Sequence, residues 1–78
     1  MNNSFEIVAE IIEDIADIPR DEIAADSSLI DGLDLSSLEL MSIISEISRK
    51  YSISISGDQM LEFETVNDIV KYIDSKTK

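Results

Sequence analysis

Near the start of the chain apolar residues recur at three- and four-residue spacing: Phe5, Val8, Ile11, Ile12, Ile15 and Ile18. At about 100° per residue they share one face, which predicts a helix over residues 4–17. Ser4 takes the N-cap position and Pro19 stops the pattern. Ile7 lies off that face and is expected to be partly exposed. A second stripe, Leu40, Met41, Ile43, Ile44, Ile47 and Tyr51, predicts a helix from Ser37 to Lys50. Ser36-Ser37-Leu38-Glu39 reads as its capping box, with Ser36 as N-cap and Glu39 reaching back. Arg49 and Lys50 fall in its last turn, where cations suit the negative end of the helix dipole. The third stripe is Val66, Ile69, Val70 and Ile73, behind Thr65-Val66-Asn67-Asp68, a capping box with Asp in place of Glu.

Two connections remain. Residues 19–35 carry no sustained period, but Ile23, Leu29, Ile30, Leu33 and Leu35 imply a loop laid down on the core. Ser52-Ile53-Ser54-Ile55-Ser56 alternates like a strand, yet one strand without a partner makes no sheet. It is expected to be an extended connector, followed by a turn at Gly57-Asp58 and a short helical turn over Asp58–Glu62. The expected fold is all-α: a small bundle of three main helices plus one short helix, with a long loop between the first two main helices. One domain is expected to span residues 1–78.

Composition narrows the chemistry. Six basic and 17 acidic residues among 78 give a net charge of −11, and there is no histidine or cysteine. The absences exclude thiolate nucleophiles, disulfides, thiolate metal sites and imidazole bases. The charge repels phosphate backbones and anionic lipid heads, so neither nucleic acid nor membrane is an expected partner. It favours proteins with Lys/Arg patches. Met1-Asn2-Asn3-Ser4-Phe5-Glu6 lacks the basic and apolar regions of a secretory signal, so a cytoplasmic location is expected and the Asn2-Asn3-Ser4 sequon carries no weight.

Three motifs bear on the chemistry. A calcium loop with Gly32 at its sixth position would need ligands at Ser27, Leu29 and Leu38 and fails at all three, so no metal site is expected. Carboxylate pairs are too abundant to single one out, and no enzyme activity is expected. The serine pair is more informative. Ser36 alone suffices as a cap, which leaves the Ser37 hydroxyl free at the positive end of a helix, a place suited to an attached phosphate. The bland alternative is that both serines serve only the cap.

The segment Asp31-Gly32-Leu33-Asp34-Leu35-Ser36-Ser37-Leu38-Glu39-Leu40 resembles the prosthetic-group site of acyl carrier proteins. The likeness runs from about Ile11 to Ile73 and includes Ile18-Pro19-Arg20-Asp21-Glu22-Ile23 and Thr65-Val66-Asn67-Asp68-Ile69. By position it implies that Ser37 receives covalent 4′-phosphopantetheine from a phosphopantetheinyl transferase. The arm would carry acyl groups as thioesters to synthase and acyl-transferring enzymes with basic docking patches, in fatty-acid, polyketide or related biosynthesis. The carrier itself would be non-catalytic and is expected to be monomeric. Asp34, Ser36, Leu38, Glu39, Met41 and Glu46 are the implied partner contacts.

The chain departs from the family in three places. Ser36 replaces the usual Asp before the modified serine, Asp34 replaces the usual Gly, and Ser42, Ser45 and Ser48 make the second helix less acidic. These imply slower modification and a specialised partner set. The alternative reading is a non-enzymatic acidic helical adaptor that binds basic proteins without a prosthetic group.

Overall fold

Helices α1 (Ser4–Ala16), α2 (Ser37–Tyr51), α3 (Gly57–Glu62) and α4 (Val66–Thr77) follow in order in the computed structural model, which describes residues 4–77. A single 3₁₀ turn, Arg20–Glu22, interrupts the connection after α1, where the sequence predicted only loop. The reading of the N-terminus that rests on Met1, Asn2 and Asn3 lies outside the described residues. Among the described residues there is no strand, only an isolated antiparallel bridge between Ser28 and Thr65.

The α1 helix packs against both α2 and α4. Its Val8, Ile11 and Ile12 meet Ile43 and Ile47 of α2 and Ile69 and Ile73 of α4 in one buried cluster. Ile7, off that face, is half-buried, in keeping with the partial exposure expected of it. Ser4 is the first residue of α1 rather than its cap, and its hydroxyl donates to Asp74 Oδ1 at 2.8 Å. That bond ties the first turn of α1 to the last turns of α4. At its other end α1 stops at Ala16: Asp17 N–H still donates to Glu13 O at 2.9 Å, its φ of 59° turns the chain out of the helix, and Pro19 follows.

The α2 capping box forms as the sequence predicts, and the helix runs one residue further, to Tyr51. Ser52 then takes the left-handed conformation (φ 56°), and the connector after it is extended with Ile53 and Ile55 half-buried. Gly57 is not a turn residue: it opens α3, and Ser56 caps that helix by accepting the Gln59 N–H at 3.1 Å. The sequence pattern missed this because Ser56 reads equally well as the end of the alternating run.

The long loop is held by α4. The first N–H groups of a helix have no intrahelical acceptor. Here Val66 N–H donates to Ser27 O at 3.1 Å and Asn67 N–H donates to Ala25 O at 2.8 Å. In return Leu29 N–H donates to Glu64 O at 2.9 Å. Ile23, Leu29 and Leu35 anchor the same loop in the core, each worth about 1.5–3 kcal/mol if fully buried. Ile30 is the exception: the sequence grouped it with these anchors, but it is exposed.

Asp68 fixes the start of α4. Its Oδ2 accepts from Glu64 N–H at 2.9 Å and Thr65 N–H at 3.2 Å, and its own N–H donates to Thr65 Oγ1 at 3.3 Å. The Glu64 N–H bond lowers its pKa from the ordinary carboxylate value of 3.8; partial burial opposes this, while Thr65 and the Lys71 charge add to it. A folded pKa below the unfolded one stabilises the fold above the unfolded value and ceases to do so as pH falls through the folded value. Asp68→Ala is therefore expected to cost about 1 kcal/mol at neutral pH, the usual worth of a capping side chain. In urea titrations the gap from wild type should close as the pH is taken below 3.8; a gap that persists there would show that the carboxylate charge contributes nothing.

Candidate functional site

The site is the junction of the loop with α2. Ser28 organises the approach: its carbonyl accepts from Gly32 N–H at 3.1 Å and Leu33 N–H at 2.8 Å, and its hydroxyl accepts from Asp31 N–H at 3.2 Å. Gly32 is required by this close approach, since a Cβ there would lie 2.9 Å from both Ser28 N and Ser28 O. Leu35 is buried, and its N–H donates to Leu29 O at 3.0 Å, which fixes the chain two residues before Ser37.

Asp34 stands in this turn at φ 57°, the left-handed region that glycine tolerates best. Its exposed carboxylate has no hydrogen bond or ion pair among the described residues. Asp is one of the few other residues that visit this region, so Asp34 can replace a glycine while placing a negative charge three residues before Ser37.

Ser36 and Ser37 divide the work at the helix start. Ser36 Oγ accepts the Glu39 N–H at 3.2 Å, and Glu39 Oε1 accepts the Ser36 N–H at 2.9 Å. Ser37 is the first residue of α2 and is exposed, and among the described residues its hydroxyl has no partner. The N–H groups of Ser37 and Leu38 are first-turn donors without intrahelical acceptors. An anion attached to Ser37 Oγ therefore meets the positive end of a 15-residue helix, a favourable interaction of about 0.3–1 kcal/mol at an exposed site. The hydroxyl, its exposure and the donors beside it fit a phosphodiester.

Leu38 and Met41 are the exposed apolar residues of α2, at 73% and 52% exposure. Met41 follows Ser37 on the same face, about 6 Å along the axis. A groove of about 310 Å³ begins at Met41. Its α2 wall continues through Ile44, Ser45 and Ser48, and Ile55, Ser56, Gly57 and Met60 close the other side. Sequence reasoning did not connect Met60 with the site; the available signal was Met41, an apolar residue one turn from Ser37 that the core leaves outside.

Asp34, Ser36, Ser37, Leu38, Glu39 and Met41 thus fall within the turn before α2 and its first turns. Glu46 does not join them. It lies nine residues after Ser37, half a revolution away, pairs with Arg49, and lines a depression beside Glu10 and Asp14 of α1. Ser42 and Ser45 on the outward surface of α2 carry no charge, so its acidity is confined to the Glu39–Glu46 edge. Among the described residues no group of acidic side chains could hold a metal ion.

Comparison with known proteins follows the same lines. The phosphopantetheine attachment site family matches residues 6–73. The chain is 36% identical over 66 residues to an acyl carrier protein of Thermobifida fusca, covering 85% of this chain and 84% of that one. It is 36% identical over 66 residues to the meromycolate extension acyl carrier protein of Mycobacterium tuberculosis, covering 85% of this chain and 57% of that one. A solved structure from Mycobacterium tuberculosis, provisionally described as an acyl carrier protein, superposes with a TM-score of 0.86 at 27% identity, covering 94% of this chain and 97% of that one.

The Gly32 contact has a direct consequence. An added Cβ would press on Ser28 backbone that is itself bridged to Thr65, so the shift it requires strains both. Gly32→Ala is expected to lower stability by about 1–3 kcal/mol, the usual cost of forcing atoms into a packed site. A shift of the urea midpoint reads this; an unchanged midpoint would show that the turn gives way freely.

Proposed function

The chain belongs to the acyl carrier protein family, and from that premise we propose that Ser37 is the residue that takes the 4′-phosphopantetheine arm. The observation that carries this reading is the division of labour in Ser36-Ser37: one hydroxyl is engaged by the capping box and the other is exposed and unpartnered among the described residues. The arm supplies the thiol that this cysteine-free chain lacks, and acyl groups travel on it as thioesters.

The chain's own residues hold and present. The loop fixed by Ser28, Gly32 and Leu35 sets the position of Ser37, and the first turn of α2 offers its N–H groups to the attached phosphate. The groove beginning at Met41 is lined by Met41, Ile44, Ile55 and Met60 among serines, an apolar part able to receive a segment of a tethered acyl chain. Leu38 and Met41 give enzymes an apolar foothold beside the attachment point, with Asp34 and Glu39 attracting basic docking patches. No catalytic group of the carrier takes part; tethering raises the concentration of the acyl group at each enzyme that docks. With a net charge of −11, copies of the chain repel one another, which favours a monomer. Among the described residues no helix is long and apolar enough to cross a membrane. Ser36 in place of the usual Asp was the one feature that favoured an adaptor, and Asp34 supplies a carboxylate within the same turn.

A phosphopantetheinyl transferase of broad specificity, given coenzyme A and Mg²⁺, is expected to add one phosphopantetheine to the chain, read by intact mass. Ser37→Ala should abolish the addition with helicity unchanged, and Ser36→Ala should retain it. Loss with Ser36→Ala and retention with Ser37→Ala would move the site by one residue and overturn the assignment.

A further inference from the structure

A second apolar surface lies outside the α2 face. Ile30 and Leu61 are 49% and 77% exposed. Together they line one depression of about 430 Å³ with Ser28, Asp31, Phe63 and Glu64. Phe63 is buried, and the Ser28–Thr65 bridge and the Leu29 N–H to Glu64 O bond join the two walls. The depression is therefore braced by backbone hydrogen bonds. Its lining charges, Asp31 and Glu64, are both acidic, and Glu62 stands exposed beside Leu61. No basic residue lines it, and none occurs between Asp21 and Ser48.

Its place in the chain indicates what covers it. The turn bearing Ile30 is tied to Leu35, two residues before Ser37, through the Leu35 N–H to Leu29 O bond. Enzymes that act on cargo need only dock on the Leu38–Met41 side closely enough for the arm to reach their active sites. The enzyme that installs the arm must instead bring its reacting centre to Ser37 Oγ itself, so its body covers the turn beside that serine. Such an enzyme holds the phosphates of coenzyme A, which calls for Lys and Arg around its active site. That chemistry complements a notch whose apolar Ile30 and Leu61 are flanked by Asp31 and Glu64.

We infer that the Ile30–Leu61 depression is a docking notch for the phosphopantetheinyl transferase, seating an apolar side chain flanked by basic residues. The inference rests on the reading of Ser37 as the attachment site. In the reaction it serves, Ser37 Oγ forms a bond to the phosphorus that bears pantetheine. The phosphoanhydride P–O bond of coenzyme A breaks, adenosine 3′,5′-bisphosphate leaves, and the serine proton is released. The notch takes no part in these steps. It holds the two proteins in register, so its loss should appear in KM for the carrier and not in kcat.

The test is steady-state modification of the full chain by a broad-specificity transferase with coenzyme A and Mg²⁺, followed by intact mass against carrier concentration. Leu61→Gln and Ile30→Gln are each expected to raise KM about tenfold, as for loss of a partly buried aliphatic contact. Their kcat should stay within about twofold of wild type, and Leu61→Met should restore the wild-type KM. Leu61 is the more exposed, so its variant keeps the test open where Ile30→Gln disturbs the fold. KM within twofold of wild type for folded Leu61→Gln, with wild type modified at Ser37, overturns the notch and leaves the attachment site standing; a synthase as the occupant would give this result. Wild-type chain that stays unmodified overturns the Ser37 reading, and the notch with it.

Discussion

Everything at the proposed attachment site depends on how the N-terminus of α4 satisfies its backbone. The first turn of any helix has N–H groups that must find partners outside the helix. Here two of them, on Val66 and Asn67, take the carbonyls of Ser27 and Ala25. A third, on Asp68, is kept by Thr65 in the capping box. One set of bonds thus solves two problems. The helix start is capped, and a long connection between α1 and α2 is fastened across the end of the bundle. With Leu29 and Leu35 buried beneath it, the loop becomes a defined approach to Ser36 and Ser37.

On the proposal that Ser37 carries the arm, that approach explains how a chain without cysteine or histidine prepares a site for covalent modification. The requirement is an exposed hydroxyl of fixed position next to donors that welcome a phosphate. The capping box meets the structural demand of α2 with Ser36 and Glu39, so Ser37 has no structural duty. Two fields then meet at Ser37. The helix terminus is positive, while Asp34 and Glu39 are negative and close by in the chain. The first-turn N–H groups are the nearest donors to an attached phosphate, whereas Asp34 faces water and is screened over about 8 Å at physiological salt, and the Glu39 carboxylate is held by the Ser36 N–H. The near term favours an attached anion, and the exposed Asp34 carboxylate remains available to basic partners.

Much of this was legible in the sequence. Stripes such as Val8, Ile11, Ile12 and Ile69, Ile73 gave the helices because burial follows the 3.6-residue period directly. The capping boxes at Ser36 and Thr65 were legible because their partners lie three residues apart. Ser37 stood out by its resemblance to a known pattern and by the spare serine. The remainder depends on bonds between distant positions. The hydroxyl of Ser4 reaches Asp74 across 70 residues of sequence, so a residue that looked like a cap became a tie between helices. The α4 strap uses backbone atoms that every residue carries, and no side-chain pattern announces it. Ile30 and Leu29 are adjacent and alike in the sequence, yet one is exposed and the other buried, because the turn around Ser28 decides which faces inward.

The central claim is that the loop and the start of α4 form one unit that holds Ser37 in place. Amide hydrogen exchange tests this most directly, since units that open together exchange together. The N–H groups of Leu29, Leu35, Val66 and Asn67 are predicted to share one level of protection, within about tenfold of one another, and to lose it together in Asp68→Ala. Fast exchange at Leu29 and Leu35 beside slow exchange at Val66 and Asn67 would contradict the account. It would mean that Ser37 stands at the end of a slack loop, and that the enzyme rather than the carrier brings the serine into position.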